Sequence, residues 1–101
     1  MGLLNILFGN STNQISEYID RNAVFLDVRT DAEYRSNHID KAVHIPVQEL
    51  EYRVDEIIKL KKPVIVYCAS GMRSAKAASF LKSSGVDAIN GGGMAQVKAA
   101  L

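Results

Sequence analysis

The sequence contains few of the residues that build metal centres and disulfide frameworks, with one cysteine and two histidines in 101 residues. A lone Cys68 excludes an internal disulfide, and so few thiol and imidazole groups exclude a structural zinc or iron–sulfur centre. We therefore expect a domain that holds no metal and needs no cofactor.

The sequence also lacks an excess of charge of either sign. Lys and Arg number 12 against 11 Asp and Glu, which leaves a formal net charge of +1, and no basic run is long enough to follow a phosphate backbone. Nucleic acid is therefore not an expected partner.

Long apolar runs are missing as well. The apolar stretch 1–8 is too short to span a bilayer and lacks the positive region of a signal peptide, so we expect no membrane span and a cytoplasmic location. Residues 1–11 are interpreted as an N-terminal segment and residues 12–101 as a single domain. The apolar stretch 1–8 is expected to cover one edge of the core. The composition, 48% hydrophobic and 23% charged, is typical of globular proteins.

The order of apolar patterns predicts alternating helices and strands. Capping boxes beginning at Ser11 and Thr30 mark the starts of two helices, the second of which is expected to end near Asn37, a residue that tolerates left-handed backbone geometry. Alternation of buried strands with helices predicts an α/β fold with a parallel sheet covered by helices on both faces. The predicted helices cover about 12–21, 31–37, 47–60, 73–81 and 94–100, and the predicted strands about 23–28, 42–45, 64–67 and 86–89, with a tight turn at 91–93.

Reactive side chains follow two of the predicted strands. Asp27 and Arg29 come at the end of the first strand, and Cys68 directly follows the third. Because the carboxyl ends of parallel strands share one edge of the sheet, and ligands bind at that edge, we expect these residues to lie close together.

Cys68 is the candidate nucleophile. The chain must curl through residues 69–73 before it re-enters as a helix, so the backbone N–H groups there have no strand partners and point into the hollow of the loop. These donors and the positive end of the helix favour an anion, and they predict a pKa for the Cys68 thiol below its ordinary value of about 8.5. Gly71 allows the backbone to close around the bound anion.

Further side chains of the same loop are candidates for binding. Arg73 carries a planar guanidinium that can grip an oxyanion through paired hydrogen bonds. Ser70 and Ser74 can add hydroxyl donors, although Ser74 is equally suited to cap the helix and Ser70 to fill the loop. Met72 is expected at the rim.

The ordered set of these motifs resembles the signature of a single-domain rhodanese, a member of the rhodanese-like sulfurtransferase family. The resemblance extends over about residues 12–97 and implies a rhodanese-like three-layer fold, with a central parallel sheet of about five strands, for the domain at 12–101. The matching segments are Phe25–Arg29, Glu33–Tyr34, His38–Ile39, Ala42, Ile45–Pro46, Tyr67–Ser74 and Gly92–Gly93.

The activity of that family is thiosulfate sulfurtransfer, so the resemblance implies an enzyme in which Cys68 carries a persulfide. The Cys68 thiolate would attack a small sulfur anion such as thiosulfate, and a thiol, a protein thiol or cyanide would then accept the sulfur. The implied substrate-binding positions are Ala69, Ser70, Gly71, Met72, Arg73 and Ser74.

Residues outside the loop have supporting roles in this family. The resemblance implies that Asp27 and Arg29 hold the rim by hydrogen bonding, with Arg29 paired to Glu33, and that none of the three touches the sulfur. His38 is implied to be structural, and neither it nor His44 is expected to act in catalysis.

Two other functions remain open. A cysteine-dependent phosphatase or arsenate reductase also uses a loop from Cys to Arg, but its C-x-x-x-x-x-R pattern is one residue longer than the segment from Cys68 to Arg73, whose narrower hollow suits sulfur better. The loop also lacks an obvious aspartate to serve as a leaving-group acid. A non-catalytic sulfur carrier or binding module is the second alternative. The presence of both Cys68 and Arg73 favours a reactive site, but it does not distinguish catalytic turnover from a sulfur-carrier role.

Overall fold

The structure is a computed structural model that describes residues 10–101, with side chains described from residue 13 onward. The predicted N-terminal cover at residues 1–8 and the capping side chain of Ser11 lie outside the described residues. No helix within residues 10–101 is long and apolar enough to cross a membrane.

The described chain alternates helices with four parallel strands. The strands are β1 (Val24–Asp27), β2 (Val43–His44), β3 (Val64–Cys68) and β4 (Ala88–Gly93). The helices are α1 (Asn10–Asp20), α2 (Asp31–Ser36), α3 (Leu50–Arg53), α4 (Asp55–Ile58), α5 (Met72–Ser83) and α6 (Met94–Ala99), with a 3₁₀ turn at Val47–Glu49. The sheet order is β2-β1-β3-β4. The predicted α/β class with a parallel sheet is confirmed, with four described strands where about five are expected.

The central strand β3 is buried on both faces and separates two packed layers. Val64, Val66 and Cys68 belong to the layer that contains α5, while Ile65 and Tyr67 belong to the layer that contains α1 and α6. This alternation of side chains explains why the strand is continuously apolar in sequence. The sheet therefore places Cys68 on the α5 side, at the carboxyl end of its strand.

The prediction of a single helix over 47–60 is wrong. The chain forms a 3₁₀ turn followed by α3 and α4. The backbone tightens at Val54, whose carbonyl accepts hydrogen bonds from the N–H groups of both Ile57 and Ile58. The helix is predicted from the apolar spacing of Leu50, Val54, Ile57 and Ile58, of which Leu50 and Ile57 are buried while Ile58 is 40% exposed.

Strand β4 continues through the glycines, so the prediction of a tight turn at 91–93 is wrong. Its register against β3 shifts, with Gly91 as the extra residue of a β-bulge, and Cys68 then pairs with Gly93. A Cβ at Gly91 would lie 2.8 Å from methyl carbons of Ile65 and Val97, so glycine is required there. The bulge brings the backbone of β4 alongside the cysteine.

Helix α2 starts at the predicted capping box. The Thr30 hydroxyl accepts a hydrogen bond from the Glu33 N–H group, and the Glu33 carboxylate accepts one from the Thr30 N–H group. Asn37 follows the helix in an extended conformation, with φ at −169°, so left-handed geometry at this residue is not observed. Lys41 supplies the left-handed backbone before β2, with φ at 67°.

Candidate active site

Cys68 ends strand β3 and is buried, with 0% of its surface exposed. The loop at residues 69–71 leads directly into α5, and its outer surface is open to solvent, since Ala69, Ser70 and Met72 are exposed. The thiol therefore lies at the base of a short loop between a strand and a helix.

Hydrogen-bond contacts to the Cys68 sulfur come from Gly71 and Ser74. The Gly71 N–H group donates to Sγ at 3.0 Å, the Ser74 N–H group donates at 3.4 Å, and the Ser74 hydroxyl oxygen lies 3.3 Å from Sγ. The Gly71 backbone allows this arrangement, because its φ of 103° lies in the left-handed region that favours glycine. Two backbone N–H groups thus point at the sulfur.

Two opposing effects set the pKa of the Cys68 thiol. Burial raises this pKa, because a thiolate loses the hydration that it has in water. The hydroxyl and N–H groups of Ser74, with the N–H groups of Gly71 and Ser70, lower the pKa, because they donate to the charged form. The donors prevail, so the pKa of Cys68 lies below its ordinary value.

Ser74 does not cap helix α5, which is one of the two roles that the sequence suggests for it. The N-cap residue is Gly71, and no side chain makes a capping bond there. The Ser74 side chain is buried, and its hydroxyl donates to Asn90 Oδ1 at 2.6 Å. The serine therefore links the sulfur to β4.

Arg73 is bound to Glu33 through two parallel hydrogen bonds between guanidinium and carboxylate, at 2.8 and 3.1 Å. The pair joins the first turn of α5 to α2 and leaves 35% of the Arg73 side chain and 33% of the Glu33 side chain exposed. The Arg73 guanidinium and the Thr30 N–H group lower the pKa of Glu33 from its ordinary value of 4.5 to about 2. The charge of Arg73 is therefore already compensated within the protein.

The predicted pair between Arg29 and Glu33 is wrong. The Arg29 guanidinium instead donates to the Asp27 carboxylate at 2.8 to 3.2 Å, and the Arg29 N–H group donates to it at 2.9 Å. Burial explains the choice, because Asp27 is 0% exposed and a buried carboxylate requires a counterion within reach. Burial alone would raise the pKa of Asp27, but the hydrogen bonds from Arg29 outweigh it and lower this pKa.

The two histidines stack on Tyr34, with ring centroids 3.8 Å away for His38 and 4.3 Å away for His44. The His38 ring contacts the Tyr34 carbonyl at 2.8 Å, and the His44 ring contacts the Arg29 carbonyl at 2.8 Å. These contacts order the connection from α2 to β2, and the hydrogen bonds around the sulfur involve neither ring.

Asn90 is a member of the site that the motifs do not predict. It lies in β4, where its Oδ1 accepts hydrogen bonds from the Ser74 hydroxyl and the Gly92 N–H group, and its Nδ2 donates to the Gly71 carbonyl. The signal in the sequence is weak. Asparagine is depleted in strands, so its position beside three glycines is the only indication of a role other than strand formation.

The chain is similar to several known proteins. A family model described as rhodanese-like domain matches residues 11–100. A tRNA uridine(34) hydroxylase from Enterobacter is 31% identical over 75 residues, in a match that covers 69% of this chain and only 22% of that longer protein.

Two solved structures share the fold. A rhodanese-like domain protein from Staphylococcus aureus superposes with a TM-score of 0.68 and 34% identity, covering 74% of each chain. A rhodanese with anions from E. coli superposes with a TM-score of 0.67 and 29% identity, covering 73% of this chain and 89% of that one. The rhodanese-like α/β fold implied by the motifs is thereby confirmed.

Proposed function

This chain belongs to the rhodanese-like domain family, and from that premise we propose that it transfers sulfane sulfur through a persulfide on Cys68. The observation that best supports the proposal is the convergence of two backbone N–H groups on one buried sulfur, from Gly71 at 3.0 Å and Ser74 at 3.4 Å. Such donors stabilise negative charge on sulfur, the form that both accepts and releases the transferred atom.

The proposed reaction takes two steps. In the first, the Cys68 thiolate attacks the outer sulfur of thiosulfate, a new S–S bond forms as that of thiosulfate breaks, and sulfite leaves with the bonding electron pair. In the second, an acceptor thiolate attacks the outer sulfur of the persulfide, and Cys68 leaves as a thiolate. The lowered pKa of Cys68 supports both steps, because the thiolate is the nucleophile of one and the leaving group of the other.

The loop supports sulfur rather than phosphate as the transferred group. Cys68 and Arg73 are separated by four residues, one fewer than in the phosphatase pattern. We therefore propose sulfur transfer in preference to a phosphatase or arsenate reductase function.

The similarity to a tRNA uridine(34) hydroxylase covers 22% of that protein, so we do not carry its activity over to this chain. The net charge of +1 and the lack of a long basic run favour small sulfur anions, thiols and protein thiols as partners over tRNA. We propose a cytoplasmic location, because thiol acceptors are kept reduced there.

Intact-mass spectrometry tests the proposal. Incubation with thiosulfate is expected to add the mass of one sulfur atom, and cyanide or dithiothreitol is expected to remove it. The control is Cys68→Ser, which removes the only thiol of the sequence and is expected to show no adduct. Wild-type protein that gains no sulfur from either thiosulfate or a neutral persulfide donor would contradict the proposal.

Two kinetic measurements separate the alternatives. Steady consumption of thiosulfate and cyanide with ping-pong kinetics identifies an enzyme, whereas loading with one sulfur and no turnover identifies a carrier. Hydrolysis of p-nitrophenyl phosphate that is lost in Cys68→Ser would favour the phosphatase.

A further inference from the structure

The side-chain amide of Asn90 has one possible orientation. Its Oδ1 lies 3.0 Å from the Gly92 N–H group, which can only donate, and its Nδ2 lies 3.1 Å from the Gly71 carbonyl, which can only accept. Exchanging the two ends of the amide would break both bonds. Oδ1 therefore faces the Ser74 hydroxyl as a pure acceptor, at 2.6 Å.

The direction of the Ser74 hydroxyl follows from this orientation. A serine hydroxyl has a single proton, and because Asn90 Oδ1 has none, that proton must form the short hydrogen bond between the two oxygens. The Ser74 oxygen then meets the Cys68 sulfur, 3.3 Å away, as an acceptor. That contact suits a neutral thiol, whose S–H group donates to Ser74, and it does not suit a thiolate.

We propose that Asn90 is a positioning residue that acts through Ser74, by holding the Ser74 hydroxyl proton away from the Cys68 sulfur until the thiol ionises. On ionisation the thiol proton passes to solvent, and the Ser74 hydroxyl turns from Asn90 Oδ1 to the sulfur. Asn90 Oδ1 keeps the bond from the Gly92 N–H group throughout. The inference rests on the proposed role of Cys68 as the reacting thiol.

The charged groups around this network are paired and lie outside it. Arg73 of α5 is bound to Glu33 of α2, and Asp27 of β1 is bound to Arg29. These pairs contribute to the field at the sulfur, but changes at positions 74 and 90 remove none of their charges. A shift in the thiol titration caused by such changes therefore reports the hydroxyl network.

A titration of the Cys68 thiolate by its ultraviolet absorbance tests the proposal, with Cys68→Ser as the blank. Asn90→Ala frees the Ser74 proton, which the charged thiolate is expected to take in preference to the neutral Gly92 carbonyl 3.4 Å away, so the midpoint is expected to fall by about one pH unit. Ser74→Ala removes that donor, so its midpoint is expected to rise. When Ser74 is already replaced by Ala, adding Asn90→Ala is expected not to lower the midpoint. Ser79→Ala, an exposed serine of the same helix, is the matched control.

Opposite signs for the two single variants are the signature of this role. Asn90 also holds the Gly71 carbonyl, and loss of that support alone would move the Gly71 N–H group off the sulfur and raise the midpoint. A raised or unchanged midpoint in Asn90→Ala would therefore overturn the proposal, as would an equal fall with and without Ser74. Asn90→Val, which suits a strand, replaces Asn90→Ala if circular dichroism shows misfolding. The titration needs no sulfur donor, so its outcome is independent of whether Cys68 forms a persulfide.

Discussion

Replacing Glu33 by Gln is expected to lower the free energy of unfolding at neutral pH by about 1 kcal/mol. The fall in the pKa of Glu33 from 4.5 to about 2 would correspond to at most about 3 kcal/mol. The Glu33 and Arg73 side chains are 33% and 35% exposed, however, and solvent screening reduces such ion pairs to about 1 kcal/mol or less.

The effect has a definite pH dependence. The pKa of Glu33 in the folded state lies below that in the unfolded state, so the unfolded chain takes up this proton first as the pH falls. The stabilisation is fully present above pH 4.5 and is lost as the pH falls towards about 2. The unfolding free energies of the wild type and Glu33→Gln should therefore converge across that window.

Urea denaturation at a series of pH values, followed by circular dichroism, measures this difference. Glu51→Gln makes the same chemical change at an exposed position of α3 and is the matched control. A loss in Glu33→Gln that equals the control at neutral pH, or that stays constant through the acid window, would show that the ion pair with Arg73 does not hold α2 to α5.

Three further changes test the site. Asp27→Asn is expected to reduce the free energy of unfolding by about 3 kcal/mol, because buried Arg29 loses its counterion, and an unchanged urea midpoint would refute this. Gly71→Ala is expected to impair persulfide formation and protein stability more than Gly85→Ala, although φ is positive at both glycines. The reason is that a Cβ at position 71 would lie 3.2 Å from neighbouring backbone, whereas a Cβ at position 85 would meet no atom within 4 Å. Equal losses in the two variants would refute this reasoning. Arg73→Ala is expected to lower kcat/KM for thiosulfate more than for a neutral persulfide donor, and equal losses would exclude a role in anion binding.

The sheet could be predicted because burial leaves a direct mark on the sequence. Strands β1 and β3 are apolar where helices cover both faces, and the capping box at Thr30 is encoded by adjacent residues. The break in the helix at 47–60 could not be predicted, because the spacing of Leu50 and Ile57 is the same whether or not the backbone tightens at Val54.

The partners within the site could not be predicted from the motifs. The motifs place Asp27, Arg29, Glu33 and Arg73 near one rim, but the choice of partner depends on burial. The carboxylate at 0% exposure takes the buried guanidinium of Arg29, which leaves Glu33 to the more exposed Arg73. The role of Asn90 could not be predicted either, because its side-chain partners include residues 16 and 19 positions away in sequence.

The glycine run of β4 brings this strand against the loop at residues 69–71. A Cβ at Gly93 would lie 2.5 Å from the Ala69 carbonyl oxygen, and a Cβ at Gly71 would lie 3.2 Å from the Gly92 Cα atom, so loop and strand are in backbone contact. The bulge at Gly91 sets the strand in this register. These contacts leave the loop no space to widen towards β4, which supports our proposal that it holds one added sulfur atom. The glycines that local propensity assigns to a turn thus contribute to the chemistry that we propose for the cysteine.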